Sequence, residues 1–269
     1  MSPDIEIIGD GCAALSLAAR ASELNHNIRL IKPSNAPTTN DHVWGFWSDP
    51  ILAAAQRLAR ATWQKWAIIT HDDCAVLSSE TRPYNAFKRS DWSEHCKGLA
   101  ELSKVTIVAE HEWEKSADSL LFDTRPPVVP NDCMLQHFQG IEVKTKQPCF
   151  DKDMAILMDF RVDQSKGMHF IYLLPYSTTE ALVESTLFST ELVDEEFYSS
   201  SIESYLKEHC KVEEFSITHQ EKGVIPLGKL APHDSRIPGL GSNAGATRPA
   251  SGYAFLFIQR QIDAGIRLA

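Results

Sequence analysis

Within its first fourteen residues the chain runs from an apolar strand, ending Ile7-Ile8, into Gly9-Asp10-Gly11-Cys12-Ala13-Ala14. A helix-forming stretch, Leu15 to Leu24, follows directly. A Gly-x-Gly-x-x-Ala turn in this setting meets the needs of a dinucleotide-binding turn. Gly9 allows the tight turn, and Gly11 lets the backbone come close to a pyrophosphate. The small Ala14 lets the helix pack against the strand, with its free N–H groups aimed at the phosphates. An ordinary strand-turn-helix rich in small residues is the competing reading of the same pattern.

The fingerprint asks for an acid about 20 residues on, at the end of the second strand, to hold the ribose. That strand reads Ile28-Arg29-Leu30-Ile31 and is followed by Lys32-Pro33, so no acid stands there. Lys32 suits a 2′-phosphate or is neutral in effect, and Ser34 and Asn35 offer side-chain oxygens to the ribose. The expectation is a dinucleotide site with a weakened ribose contact.

The 269 residues are 43% hydrophobic and 23% charged, enough for one large domain or two intertwined ones. A net charge of −10, with no basic stripe, argues against nucleic acid and against electrostatic attraction to anionic membranes. No apolar run is long enough to span a bilayer, and the acidic start does not read as a signal peptide. The six cysteines (Cys12, Cys74, Cys96, Cys133, Cys149, Cys210) form no Cys-x-x-Cys pair, and the histidines show no metal-ligand spacing. No metal site is indicated, and a reducing cytoplasm fits best.

Further along, a polar loop (Pro33 to His42) leads to Trp44, Phe46 and Trp47. Residues 51–66 read as a helix carrying Trp63 and Trp66, and Ser90 reads as the N-cap of another. Short strands are expected at Val105–Val108, of a buried type, and at Leu120–Asp123. Four closely spaced β-like stretches follow, near 137–145, 154–162, 168–176 and 180–189, and argue for an antiparallel sheet. A helix at 194–209, an extended stretch at 212–226, a Gly-rich loop (Gly239 to Gly245) and a helix from about Ala250 complete the chain. The fold class is therefore α/β (α+β). A Rossmann-like cofactor domain (1–136 and 220–269) carries an inserted antiparallel-sheet substrate domain (137–219), with a pocket where they meet.

Several segments, in this order, resemble the lycopene cyclase family of flavoproteins. They are Ile7 to Ala14, Asp41 to Trp47, Leu121 to Pro126, Met158 to Gln164, Phe170 to Tyr176, Leu182 to Thr186 and Ala244 to Tyr253. The resemblance covers nearly the whole chain. It implies redox-neutral cyclisation of the ends of lycopene to β-ionone rings, through proton addition, ring closure and deprotonation. It implies FAD in its reduced form, with NAD(P)H as reductant. It implies a carotenoid substrate and a protein peripherally attached to the membrane by hydrophobic association. Relatives usually continue for about another hundred residues.

Protonating an alkene needs a positioned acid in a dry pocket. Glu184 stands where similar cyclases carry an essential acid in a Glu-Glu-Thr or Glu-Asp-Thr motif, and period-two alternation puts it on one face with Leu182, Thr186 and Phe188. Apolar neighbours favour the protonated carboxyl. A solvent-facing strand glutamate is the alternative. The motif's second acid is Ser185 here, on the opposite face. Trp44, Phe46, Trp47 and Tyr253 are candidate cation-stabilising rings of the substrate pocket, or plain core. Gly9, Gly11, Ala14, Gly241, Ala244 and Gly245 are the expected cofactor-binding residues, and Asp123 and Arg125 read as structural. Competing functions are an NAD(P)H-dependent flavin reductase or monooxygenase acting on an apolar isoprenoid, and an inactive cyclase-like protein.

Overall fold

The computed structural model describes residues 4–24, 26–35 and 41–268; part of the loop expected at Pro33 to His42 lies outside them. The chain begins β1 (Ile5–Ile8), α1 (Cys12–Ala18), α2 (Ala21–Leu24), β2 (Ile28–Lys32), β3 (Val43–Trp47) and α3 (Ala53–Arg57). It continues β4 (Ala61–Trp63), β5 (Lys65–Ile69), β6 (Cys74–Ser78), β7 (Tyr84–Lys88), α4 (Arg89–Leu102), β8 (Thr106–Ala109) and β9 (Leu120–Asp123). Then come β10 (Met134–Thr145), β11 (Met154–Asp159), β12 (Met168–Pro175), β13 (Glu180–Ser189), α5 (Glu195–His209), β14 (Phe215–Leu227) and α6 (Phe255–Leu268).

Three sheets organise these elements. A four-stranded parallel sheet runs β8-β2-β1-β9. Its core strands β1 and β2 are almost wholly buried, as expected of a parallel sheet covered by helices. A three-stranded antiparallel sheet runs β3-β7-β4, and a seven-stranded sheet runs β14-β10-β13-β12-β11-β5-β6. All the large sheet's neighbours are antiparallel except β11 and β5, which are parallel.

Three apolar clusters hold the sheets together. Helices α1, α4 and α6 pack with the parallel sheet around Ile7, Ala14, Leu30, Trp92 and Ile258. Helix α5 covers one face of the large sheet through Ile202, Tyr205 and Leu206, against Ile141, Ile171, Leu173 and Val183. The other face meets the three-stranded sheet around Trp63, Tyr84, Leu174 and Leu182.

The α/β architecture with a second, antiparallel sheet agrees with the sequence reading, but several details differ. The helix expected over 51–66 stops at Arg57, and Trp63 and Trp66 lie on β4 and β5. Aromatic and β-branched residues in Ala61-Thr62-Trp63 and Trp66-Ala67-Ile68-Ile69 favour a pleated surface, and Trp63 Nε1–H donates to the Pro175 carbonyl 3.2 Å away. Ser90 is not a cap: α4 starts at Arg89, and the Ser90 hydroxyl donates to Asp41 at 2.7 Å. Strand β8, expected to be buried, is a sheet edge and half exposed. The last helix begins at Phe255, because a turn with Gly252 at φ 71° precedes it. The expected limits 137–219 do not follow the sheets. The β5–β6 hairpin joins the large sheet from the first segment, and β14 crosses position 219 as one strand.

Candidate functional site

The turn after β1 is tied into the sheet from both sides. The Gly9 N–H donates to the Ile31 carbonyl at 2.8 Å, and Thr124 donates to the Ile8 carbonyl through its N–H (2.8 Å) and hydroxyl (2.9 Å). Gly9 has φ 131°, and a Cβ there would lie 1.9 Å from Thr124 Oγ1. No other residue fits. Gly11 differs: a Cβ there would meet nothing within 4 Å. The fold does not need its smallness, so the space in front of α1 is free for a ligand. Ala14 is fully buried under the sheet, as close helix–strand packing requires.

The second loop docks on the first. Leu240 N–H and Asn243 Nδ2–H both donate to the Asp123 carbonyl, at 2.9 and 3.0 Å, fixing the loop to the end of β9. Gly241, at φ 73°, touches α1: a Cβ there would sit 2.5 Å from Ala13 Cβ. Its N–H donates to Gln261 Oε1 at 3.0 Å, so it is taken by α6. Ala244 and Gly245 are exposed, and a Cβ on Gly245 would meet nothing within 4 Å. Asp123 is buried and gripped by Arg125 through two bonds of 3.0 and 2.8 Å, a structural pair.

At the ends of β2 and β8 a carboxylate does stand, contributed by the neighbouring strand. Lys32 is in register with Ala109, and the next residue, Glu110, accepts the Ser34 N–H at 2.8 Å. A search for an acid after β2 misses it, because sheet pairing and not sequence distance brings it there. These residues fit a dinucleotide cofactor. Two glycines leave open space beside two touching loops, and a carboxylate lies beside the end of β2.

A second constellation lies on the large sheet's face opposite α5. Tyr172 on β12 is in register with Glu184 on β13, Glu184 with Gly140 on β10, and Gly140 with Glu221 on β14. These four residues form one row across four strands. Glu184 is 8% exposed and Glu221 2%. Thr186 donates to Glu184 Oε1 at 2.6 Å. Burial pushes the Glu184 carboxyl up to about 7. The Glu221 carboxyl is also pushed well above the usual carboxylate range, by burial first and then by Glu184 beside it.

Aromatic rings pack over this row. The Tyr84 hydroxyl bonds to those of Tyr172 and Tyr253, the latter at 2.9 Å. Trp47 packs on Tyr84, Tyr253 and Trp66 with centroids 4.9, 5.1 and 6.1 Å away. Burial raises the hydroxyls of Tyr84, Tyr172 and Tyr253 well above the ordinary tyrosine value, so all stay protonated. On this face three buried polar atoms, Gln136 Oε1, Tyr176 Oη and Glu221 Oε1, have no hydrogen-bond partner. Such atoms are costly in a core, by about 1–3 kcal/mol each.

Of the four rings expected in a substrate pocket, only Trp47 and Tyr253 join this cluster. Trp44 and Phe46 point the other way, into the core around Phe87 and Phe255, with centroids 5.3–5.9 Å apart. Alternation along β3 is the cause: Val43, Gly45 and Trp47 share one face, Trp44 and Phe46 the other. Gly45 gives way to the Tyr84 hydroxyl, which would lie 1.9 Å from a Cβ there. Sequence reading missed Tyr84, Tyr172 and Glu221. The Gly140 opening between two strand acids is visible only once the register is known. Arg248 stacks on Phe257, 3.6 Å from the ring centroid, and holds the turn before α6. A polar cavity of about 890 Å³, lined by Arg161, Lys166, Ser201 and His209 among others, lies on the α5 side of the sheet, away from Glu184.

The sequence model of the family described as Lycopene cyclase protein matches residues 4–267. A lycopene beta-cyclase of a Paracoccus strain is 29% identical over 98% of this chain and 73% of its own length. The chloroplastic lycopene beta cyclase of Arabidopsis thaliana is 26% identical over 93% of this chain and 56% of its own. The chain thus spans about three quarters of the bacterial relative and little more than half of the plant one. Among solved structures, a geranylgeranyl bacteriochlorophyll reductase-like protein from Thermoplasma acidophilum superposes with a TM-score of 0.73 at 12% identity, over 99% of this chain and 77% of that one. A variant of the halogenase PltM in complex with FAD gives 0.64 at 10% identity, over 99% and 69%.

Proposed function

The chain belongs to the lycopene cyclase family, and from that premise we propose that it binds FAD and closes the open ends of lycopene or a related carotenoid to β-ionone rings, with Glu184 as the acid. The observation that carries this reading is a buried carboxyl whose proton is held to about pH 7, packed beneath a cluster of aromatic rings. A carboxyl of ordinary acidity is ionised at neutral pH and has no proton to give. This one, like other carboxyls in apolar pockets, keeps it.

In the proposed reaction Glu184 delivers its proton to the terminal carbon–carbon double bond. The π pair forms the new C–H bond, and the carbon left positive is attacked by the neighbouring double bond, closing the ring. A ring proton then leaves as the last double bond forms, and the carboxylate takes it back. Atoms and electrons balance, so substrate and product are isomers. Trp47, Tyr84, Tyr172 and Tyr253 present π faces to positive charge and contain no ionised nucleophile, and each face contributes roughly 0.5–2 kcal/mol when dry. Dryness also keeps water from trapping the cation.

We assign Gly11 on the first loop and Ala244 and Gly245 on the second to contact with the cofactor, and Gly9, Ala14 and Gly241 to shaping the two loops that hold it. Reduced FAD, when bound, supplies electron density that stabilises a cation without being consumed, and NAD(P)H is the reductant that would maintain it. No helix among the described residues is long and apolar enough to cross a membrane. A substrate dissolved in the bilayer leads us to propose association with the membrane surface.

The test is an anaerobic assay with lycopene in liposomes, stoichiometric reduced FAD and the purified chain. Cyclic carotene formed with no net oxidation of flavin supports the reading. Product formed in proportion to NAD(P)H consumed would replace it with a reductase or monooxygenase acting on the same class of substrate.

A further inference from the structure

Glu184 does not stand alone, and its partner is built into the sheet. Gly140 separates it from Glu221 along one row. A Cβ on Gly140 would lie 3.1 Å from Glu221 Cγ and 3.4 Å from Glu184 Cβ. The absence of a side chain there is what leaves the two acid side chains as neighbours across a single strand. One oxygen of Glu221, Oε2, accepts the Val43 N–H at 3.1 Å and lies 3.6 Å from His219 Nε2. The other, Oε1, is buried without any partner.

We propose that Glu221 is a positioning residue coupled to Glu184 across Gly140, so that the pair keeps one proton after giving one up. The proposal rests on the cyclase reading of the site and deepens it. Two carboxylates in one dry pocket cannot both ionise cheaply, so the negative charge of one holds the proton on the other. For a reaction that gives up a proton and receives one, such a pair resets itself without exchange with solvent.

The surroundings leave the pair to itself. Facing Glu221 are Glu142, Asp41, His219 and Tyr176, besides Glu184. Glu142 is answered by Arg60 at 2.6 Å. Asp41 accepts the Ser90 N–H and hydroxyl at 3.0 and 2.7 Å, with Arg89 and Lys88 nearby. Facing Glu184 are the hydroxyls of Tyr84, Tyr172, Tyr176 and Tyr253, which remain neutral throughout the range in which the acids titrate.

Carboxyl NMR of the full chain, loaded with FAD and labelled with ¹³C at glutamate Cδ, tests this without requiring turnover. Glu184→Gln and Glu221→Gln identify the two resonances. In the unsubstituted protein one carboxyl of the pair stays protonated at pH 7. In Glu184→Gln the Glu221 midpoint falls by at least about one pH unit, the coupling expected of a proton-sharing pair, and Glu184→Asp moves it back toward the original value. A Glu221 midpoint unchanged in Glu184→Gln would overturn the proposal. Should that variant not fold, Glu184→Ala decides by the same reading, and a stationary Glu221 midpoint would be equally fatal. Coupling found in a chain that makes no cyclic carotene would leave the pair standing and remove the cyclase reading instead.

Discussion

Glu184 and Ser185 are consecutive on β13 and face opposite sides of the large sheet. Glu184 looks into the aromatic chamber, while Ser185 is sealed under α5 and bonded to His169 Nε2 at 2.8 Å. His169 Nδ1 lies 2.7 Å from the Asp163 carbonyl, which can only accept, so Nδ1 carries the proton. Burial lowers the His169 pKa and keeps the ring neutral, so Nε2 accepts from the Ser185 hydroxyl. Serine at this position therefore takes no acid away from the chamber; the second acid comes from Glu221.

Ser185→Ala removes that bond and nothing in the chamber. Chemical denaturation is expected to show a loss of about 1 kcal/mol, with the rate of cyclisation unchanged. A large loss of rate at unchanged stability would put Ser185 in the chemistry.

Glu184→Gln keeps the shape and the Thr186 contact but has no proton to give. Cyclisation should fall by roughly 10²–10⁴-fold, the usual worth of a positioned acid. Flavin content measured by absorbance should stay the same, because the row of acids and the two glycine loops are separate structures. Loss of flavin together with rate would mean the substitution acts on folding.

Gly9 and Gly11, two positions apart, should fail in different ways. Gly9→Ala drives a methyl group into Thr124 in a backbone region hostile to side chains, and should yield unfolded or strongly destabilised protein. A Cβ at Gly11 meets nothing within 4 Å, so the melting temperature of Gly11→Val without flavin should match that of the unsubstituted chain while FAD retention is lost. Retention of FAD by Gly11→Val would sink the assignment of that loop.

The buried acids make stability depend on pH. Glu184 titrates at about 7 when folded, against 4.5 when exposed. The folded state therefore holds its proton more tightly, and the stabilisation, present in full below pH 4.5, is lost as pH rises through 7. The change is about 3 kcal/mol across that window, on the order of 1.4 kcal/mol per pH unit. His137 and His169, held below 6.5 by burial, work in the opposite direction and lose stability as pH falls. The difference between the unsubstituted chain and Glu184→Gln reads the coupled acids: the variant should gain relative stability from pH 5 to 8. Parallel curves would mean that Glu184 is ionised throughout.

The sequence carried the features with a local cause. The Gly9 turn, the alternation that singles out Glu184 and separates Ser185, and the strands from 134 to 189 all follow from short-range pattern. The features it concealed are set by register. Trp44 and Trp47 look alike in a cluster of aromatic residues, and only the pairing of β3 with β7 sends them to different cores. Trp63 and Trp66 mimic a helical stripe in an alanine-rich stretch, and pairing with β7 and β11 places them in strands. Glu110 and Glu221 have no motif at all. Each is brought to its place by a neighbouring strand, Glu110 beside Ser34 and Glu221 across Gly140.

The most direct measurement is chromatography of pigments from a lycopene-accumulating bacterial host expressing either the unsubstituted chain or Glu184→Gln at equal soluble levels. With Glu184 as the acid, β- or γ-carotene is expected from the first and unchanged lycopene from the second. Unchanged lycopene from both, or cyclic carotene from both, would contradict it.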